Sequence, residues 1–191
     1  MKKFLYNPFE SHSENQLLLF GLIVTLIGSL LAMQFDTRFD GMFDSHFSNN
    51  VGYLPFLDNL IAITCSVVVL FVSGKIINPK TRFIDIVNTS IIARTPLYLT
   101  CFFNVGGFLG DVTEKLMQST SPADIDAISG QDLLLLTVIG FLGLFLLIWF
   151  FLLLWSGFKV ATNARGGKHI LLFIVAILIG EAISKIIFSL L

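Results

Sequence analysis

The side chains able to do chemistry in this 191-residue chain are few, and most are embedded in apolar sequence. Arg94 interrupts one such run, with Pro96 two positions later. A charge near the bilayer centre costs roughly 2.5–3.5 kcal/mol on insertion scales, so the guanidinium needs a partner or a route to water. Proline removes one helical hydrogen bond and frees carbonyls one turn back. Together they predict a broken helix: an amphipathic interfacial segment over about 82–92, then a steep span from Leu97. Arg94 then has two readings. It snorkels to phosphate headgroups, or it is buried, paired with Glu181 or used in binding. Glu181 and Lys185 are four apart, acid first, the favourable order for a pair on one helix face. Such a pair neutralises itself and lets its helix pack; the alternative is a proton or cation relay, although transporters carry more polar groups within the membrane.

Asp36, Asp40 and Asp44 recur every four residues, each after a phenylalanine (Phe35, Phe39, Phe43), and Phe47 continues the series. With His46 they are weak candidates for a hard divalent cation. The spacing lacks the alternating Asp-x-Asp-x-Asp of a calcium loop. A solvated acidic edge is the expectation: an interfacial helix or hooked loop with rings at headgroup level and carboxylates in water. His12, His46 and His169 make no metal spacing. There is no Gly-x-Ser-x-Gly turn, no His-Glu-x-x-His and no P-loop. Nothing argues for an enzyme, and no cofactor is expected.

Composition supplies the setting. The chain is 55% hydrophobic and 13% charged, and its mean hydropathy is +0.85. Soluble domains carry about 25% charged residues, so too little polar surface exists to face water, and lipid is the solvent implied. Net charge is −1, which gives no electrostatic case for nucleic acid. Cys65 and Cys101 fall inside apolar runs and read as free thiols between helices.

A span needs about 20 apolar residues. Five candidates fit, at about 17–35, 57–77, 89–109, 133–155 and 169–191, and backbone pairing inside hydrocarbon makes each of them helical. The fold class is therefore all-α, a polytopic transmembrane bundle of about five spans in one domain, 1–191. The first span reads as retained, because a polar stretch separates Lys2 and Lys3 from a run too long for a signal peptide. Lys2, Lys3, Lys75, Lys80, Arg82, Lys159, Arg165 and Lys168 flank alternate spans, against Arg38 and Lys115 on the other side. The positive-inside rule then puts the N-terminus in the cytoplasm and the C-terminus outside.

Gly106-x-x-x-Gly110, beside Gly107, has the spacing that lets helix backbones approach. Gly21 and Gly28 on the first span, and Gly140 and Gly143 on the fourth, invite the same reading. Such glycines serve internal contacts and a homo-oligomer equally well.

The layout as a whole resembles the Yip1 family of small five-helix membrane proteins, in its bacterial branch. The resemblance rests on Asn7-Pro8-Phe9 at a short cytoplasmic start, Lys80-Thr81-Arg82-Phe83 leading to Ala93-Arg94-Thr95-Pro96 at the third span, and Phe158-Lys159 with Arg165 to Lys168 before the last. The Asp-Leu-Tyr-Gly-Pro type motif of the eukaryotic members is absent, so their Rab-GTPase role is not implied. What the resemblance implies is a non-enzymatic membrane organiser, adaptor or trafficking-like factor of a bacterial inner (plasma) membrane. Its partners would be membrane lipids and a membrane or cytoplasmic protein. Arg94 and Pro96 match the family's third-helix feature. The alternative is a small transporter or channel component using Arg94, Glu181 and Lys185.

Overall fold

Ser13 starts the first long helix. Its hydroxyl accepts the Gln16 N–H at 3.4 Å and the Gln16 side chain accepts the Ser13 N–H at 3.1 Å, a capping box that satisfies two otherwise orphaned donors. The computed structural model describes residues 6–48, 51–110, 112 and 130–190. Within them α1 spans Glu14–Gln34 and α2 spans Leu54–Ile77, with Pro55 in the first turn of α2, where a missing N–H costs nothing. After the segments described below, α5 spans Gly130–Thr162 and α6 Gly167–Phe188, joined by a turn at Asn163 and Gly166.

These four helices are long and apolar enough to cross a membrane. Leu26, Val72, Phe145 and Leu178 are among the many large apolar side chains they expose. In water each would forgo about 1.5–3 kcal/mol of burial; hydrocarbon removes that cost. The chain is an integral membrane protein with transmembrane helices.

Where the sequence predicts a span over 89–109, the chain forms three pieces: α3 (Phe83–Ala93), α4 (Thr95–Tyr98) and a 3-10 stretch (Leu99–Gly107). The break falls at Arg94, just before Pro96. The 3-10 stretch leaves helical dihedrals at Asn104, Val105 and Gly106. Gly106 and Gly107 stand at φ +77° and +79°, the left-handed region that glycine tolerates best. This corrects the reading of Gly106 and Gly110 as a helix-packing pair: they do not share a continuous helix. The Gly110 N–H instead donates to the Asn104 side chain at 3.0 Å.

The amphipathic segment expected over 82–92 is α3, and most of it lies against other helices. From Ile86 onward all residues but Val87 are buried, and the helix packs against α5, α1 and α2. Glycines on the neighbours permit this. A Cβ on Gly157 would stand 2.6 Å from Thr89 Oγ1, and one on Gly21 would overlap the Ile91 side chain. The main core forms between α2, α5 and α6, around Leu70, Phe150, Leu154, Phe158, Phe173 and Ile177.

The Phe–Asp series is not a helix. It folds as a hairpin, with β1 (Thr37–Arg38) antiparallel to β2 (His46–Phe47), Thr37 opposite Phe47. Its rings do not all lie at the surface: Phe39 is 0% exposed, and Met42 beside it in the hairpin is 1% exposed. The hairpin turns back into the bundle because polar groups on α2, at the α3–α4 junction and on α6 bind its main chain.

Candidate functional site

Those polar groups begin at the N-terminal end of α2. Asp58 is buried and accepts the Arg38 fork at 2.6 and 2.9 Å, and the Phe39 N–H at 3.2 Å. A carboxylate taken from water needs such bonds on both oxygens. Asn59, one residue on, donates to Ser29 Oγ at 2.9 Å. Its carbonyl oxygen accepts Arg94 Nε at 3.1 Å and the Tyr98 hydroxyl at 3.2 Å. Ser29 in turn donates to the Thr25 carbonyl at 2.9 Å. Tyr98 reaches this network because Gly28 has no Cβ; an added one would overlap the ring.

Arg94 is 1% exposed. It follows the eleven residues of α3, about 16 Å of helix from the start of that element. It does not snorkel and it is not paired with Glu181. Nη1 donates to the Met42 carbonyl at 2.7 Å, and the guanidinium carbon lies 5.4 Å from the centre of the Phe39 ring, within cation–π range. That ring packs edge-on to Tyr98 at 5.7 Å. Among the described residues Nη2 has no hydrogen-bond partner.

Glu181 accepts the Met42 N–H at 2.7 Å. Lys185 lies 3.6 Å from Asp40 and closer still to Asp44. The expected Glu181–Lys185 pair is therefore corrected: among the described residues each binds the hairpin, and no ion pair joins the two. Met42 itself sits over Gly180, where a Cβ would meet its sulfur.

Asp40, Asp44 and His46 come together, but around an ammonium. His46 Nδ1 is 3.2 Å from Asp40 Oδ2. That hydrogen bond holds the Asp40 carboxyl below the usual carboxylate range and raises His46 above its ordinary value, against the effect of burial in both cases. The Asp58 hydrogen bond likewise raises Arg38. Asp36 is used through its backbone, its carbonyl accepting the Ser48 N–H at 2.9 Å. Among the described residues no group of three or more His, Cys, Asp or Glu is placed to hold a metal ion.

The arrangement is a clamp: acceptors and donors from α2, α6 and the α3–α4 junction fix one hairpin, with Ser29 of α1 bonded to Asn59 behind them. Arg94, Glu181 and Lys185 stand out in the sequence. Asn59, Tyr98, Ser29, Met42 and Asp58 do not. The adjacent pair Asp58-Asn59 at the mouth of an apolar span is the signal that points to them. No protein-family model matches the chain, and neither a curated protein nor a solved structure matches it.

Proposed function

We propose that the chain is a non-enzymatic integral membrane protein that organises or tethers membrane partners, in the manner the Yip1-like layout implies. One observation carries this reading: the charged groups within or next to the apolar segments are engaged with the chain's own hairpin. A transporter keeps such groups facing a path; here Arg94 and Glu181 hold Met42, and Lys185 holds Asp40 and Asp44. The opposite end of the bundle is where a partner would dock. It gathers Lys75, Lys80, Arg82, Lys159, Arg165 and Lys168 around the α2–α3 and α5–α6 connections. A cleft of about 530 Å³ there is lined by Tyr6, Trp155, Lys159 and Arg165.

In this reading α3, α4 and the 3-10 stretch together make the fifth crossing. The basic end faces the cytoplasm by the positive-inside rule, the C-terminus lies outside, and the membrane is a bacterial inner membrane. Extraction with native lipids, affinity capture and mass spectrometry test the function. A stoichiometric protein partner that is lost when Lys159 and Arg165 are both changed to Gln supports it; capture of lipid alone with both proteins removes it.

A second reading, transport, is favoured by one atom. The unpartnered Arg94 Nη2 is a buried donor, of the kind an anion would satisfy if the hairpin withdrew. Solute flux in proteoliposomes that Arg94→Gln abolishes, with the fold retained, would favour it over the tether.

A further inference from the structure

Between the start of α3 and the end of α5 lies a cleft of about 310 Å³. It sits at the helix ends, where α1 and α3 begin and α5 finishes. Its polar lining comes from Glu14, Arg82, Asp85 and Asn88, and its apolar lining includes Leu17 and Val160. Among the described residues one buried acceptor there lacks a donor, and one half-exposed carboxylate lacks an ion-pair partner. Asn88 is 2% exposed; its amide nitrogen is committed to the Glu14 carbonyl at 3.0 Å, and its oxygen has no partner. A buried acceptor left so costs about 1–3 kcal/mol. Among the described residues no cation stands within ion-pairing distance of the Asp85 carboxylate; the neighbouring Arg82 pairs with Glu14 instead.

The same cleft also offers donors. Arg82 engages Glu14 through one nitrogen of its fork, and Arg82 makes no side-chain cap on the first turn of α3, which carries Asp85; N–H groups at a helix start favour an anion. Acceptors that call for N–H donors thus stand beside donors that call for phosphate oxygens. A second cleft, of about 250 Å³, shares Leu17 and His12 with the first and continues along Phe20 and Ile92. Phe20 belongs to the apolar outer surface of α1.

We propose that the paired clefts bind a phospholipid whose headgroup carries a primary ammonium, an ethanolamine-type zwitterion. The ammonium donates to Asp85 and the Asn88 oxygen. The phosphate meets Arg82 and the first turn of α3, and an acyl chain follows Leu17, Phe20 and Ile92. A choline-type headgroup has the same charges but no N–H to donate, so it leaves the Asn88 oxygen unsatisfied. The cleft selects its lipid whether or not the basic end docks a protein.

The test is lipid retention by the full chain in detergent micelles, followed by native mass spectrometry. The probes are phosphatidylethanolamine and phosphatidylcholine of matched acyl chains. Wild type is expected to keep the ethanolamine lipid about tenfold better, the worth of roughly one charge-assisted hydrogen bond. Asp85→Asn and Asn88→Leu are expected to erase the difference, while Lys168→Gln, outside the cleft, preserves it. Equal retention of the two lipids by wild type overturns the proposal without any variant. So does a preference that survives both substitutions in folded protein. Displacement by an equal concentration of soluble phosphoethanolamine would overturn the lipid as occupant and leave a free zwitterion in its place.

Discussion

Arg94 and Glu181 act on opposite polar groups of one residue. The arginine donates to the Met42 carbonyl and the glutamate accepts the Met42 N–H, each at 2.7 Å. The two charges are thus coupled through a main-chain segment of the hairpin without touching. Neither charged group can be removed without leaving a buried backbone group unpaired.

Arg94→Gln is therefore expected to lower stability by about 2–4 kcal/mol, from the lost charge-assisted bond and the orphaned Met42 carbonyl. Arg94→Lys should recover only part of this, because one ammonium cannot reach Met42 and Asn59 in the fork geometry of Arg94. Thermal unfolding in a fixed detergent measures both. Equal midpoints for wild type and Arg94→Gln would remove Arg94 from the clamp.

Lys185 is expected to couple to Asp44, and Glu181 to Met42, more than Lys185 and Glu181 couple to each other. Double-mutant cycles on thermal stability separate these. The Lys185→Met/Asp44→Asn cycle should give a coupling within the about 0–1 kcal/mol of a partly exposed ion pair, larger than that of Lys185→Met/Glu181→Gln. The reverse order would restore the helix-face pair that the sequence spacing favours.

The hairpin should have a pH window. His46 titrates above its ordinary 6.5, so its contribution is complete below that value and is lost as pH rises through the raised pKa. Asp40 is lowered, so its contribution is complete above the ordinary carboxylate range and is lost as pH falls through the lowered pKa. Between the two limits both act. The alkaline loss should stay within about 1 kcal/mol, because the His46 side chain is half exposed. It should vanish in His46→Gln, as read from unfolding midpoints between pH 6 and 9.

Glycine substitutions should sort by what a Cβ would meet. Gly28→Ala overlaps the Tyr98 ring, whereas Gly140→Ala meets nothing within 4 Å. The first is expected to cost about 1–3 kcal/mol by overpacking, and the second to gain up to about 1 kcal/mol of helix propensity. Gly106→Ala should destabilise through its positive φ and leave the oligomeric state unchanged, which size-exclusion chromatography with light scattering would show.

The apolar runs at 17–35, 57–77, 133–155 and 169–191 are legible because hydrocarbon imposes one conformation on any long apolar segment. Each overlaps a long apolar helix. Pro96 marks a break in the same local way. A hooked loop is one of the readings the Phe–Asp series allows, but its burial is not legible, because it is set by partners far along the chain: Asp58, Arg94 and Glu181. A four-residue Phe–Asp period fits a helix as well as a loop whose Phe39 turns inward. Gly106 and Gly110 mislead for a related reason. The spacing records where glycines stand, but the backbone there uses positive φ at Gly106 instead of helix contact.

The central claim is that the hairpin is clamped inside the bundle through its main chain, and amide hydrogen exchange of the wild-type protein in nanodiscs tests it most directly. The amides of Phe39 and Met42, bonded to Asp58 and Glu181, are expected to exchange far more slowly than that of Ser45, whose amide is bonded to its exposed neighbour Asp44. In Arg94→Gln, Met42 should lose most of that protection while Leu70 in α2 keeps its own. Exchange at Phe39 and Met42 as fast as at Ser45 in the wild type would contradict the clamp.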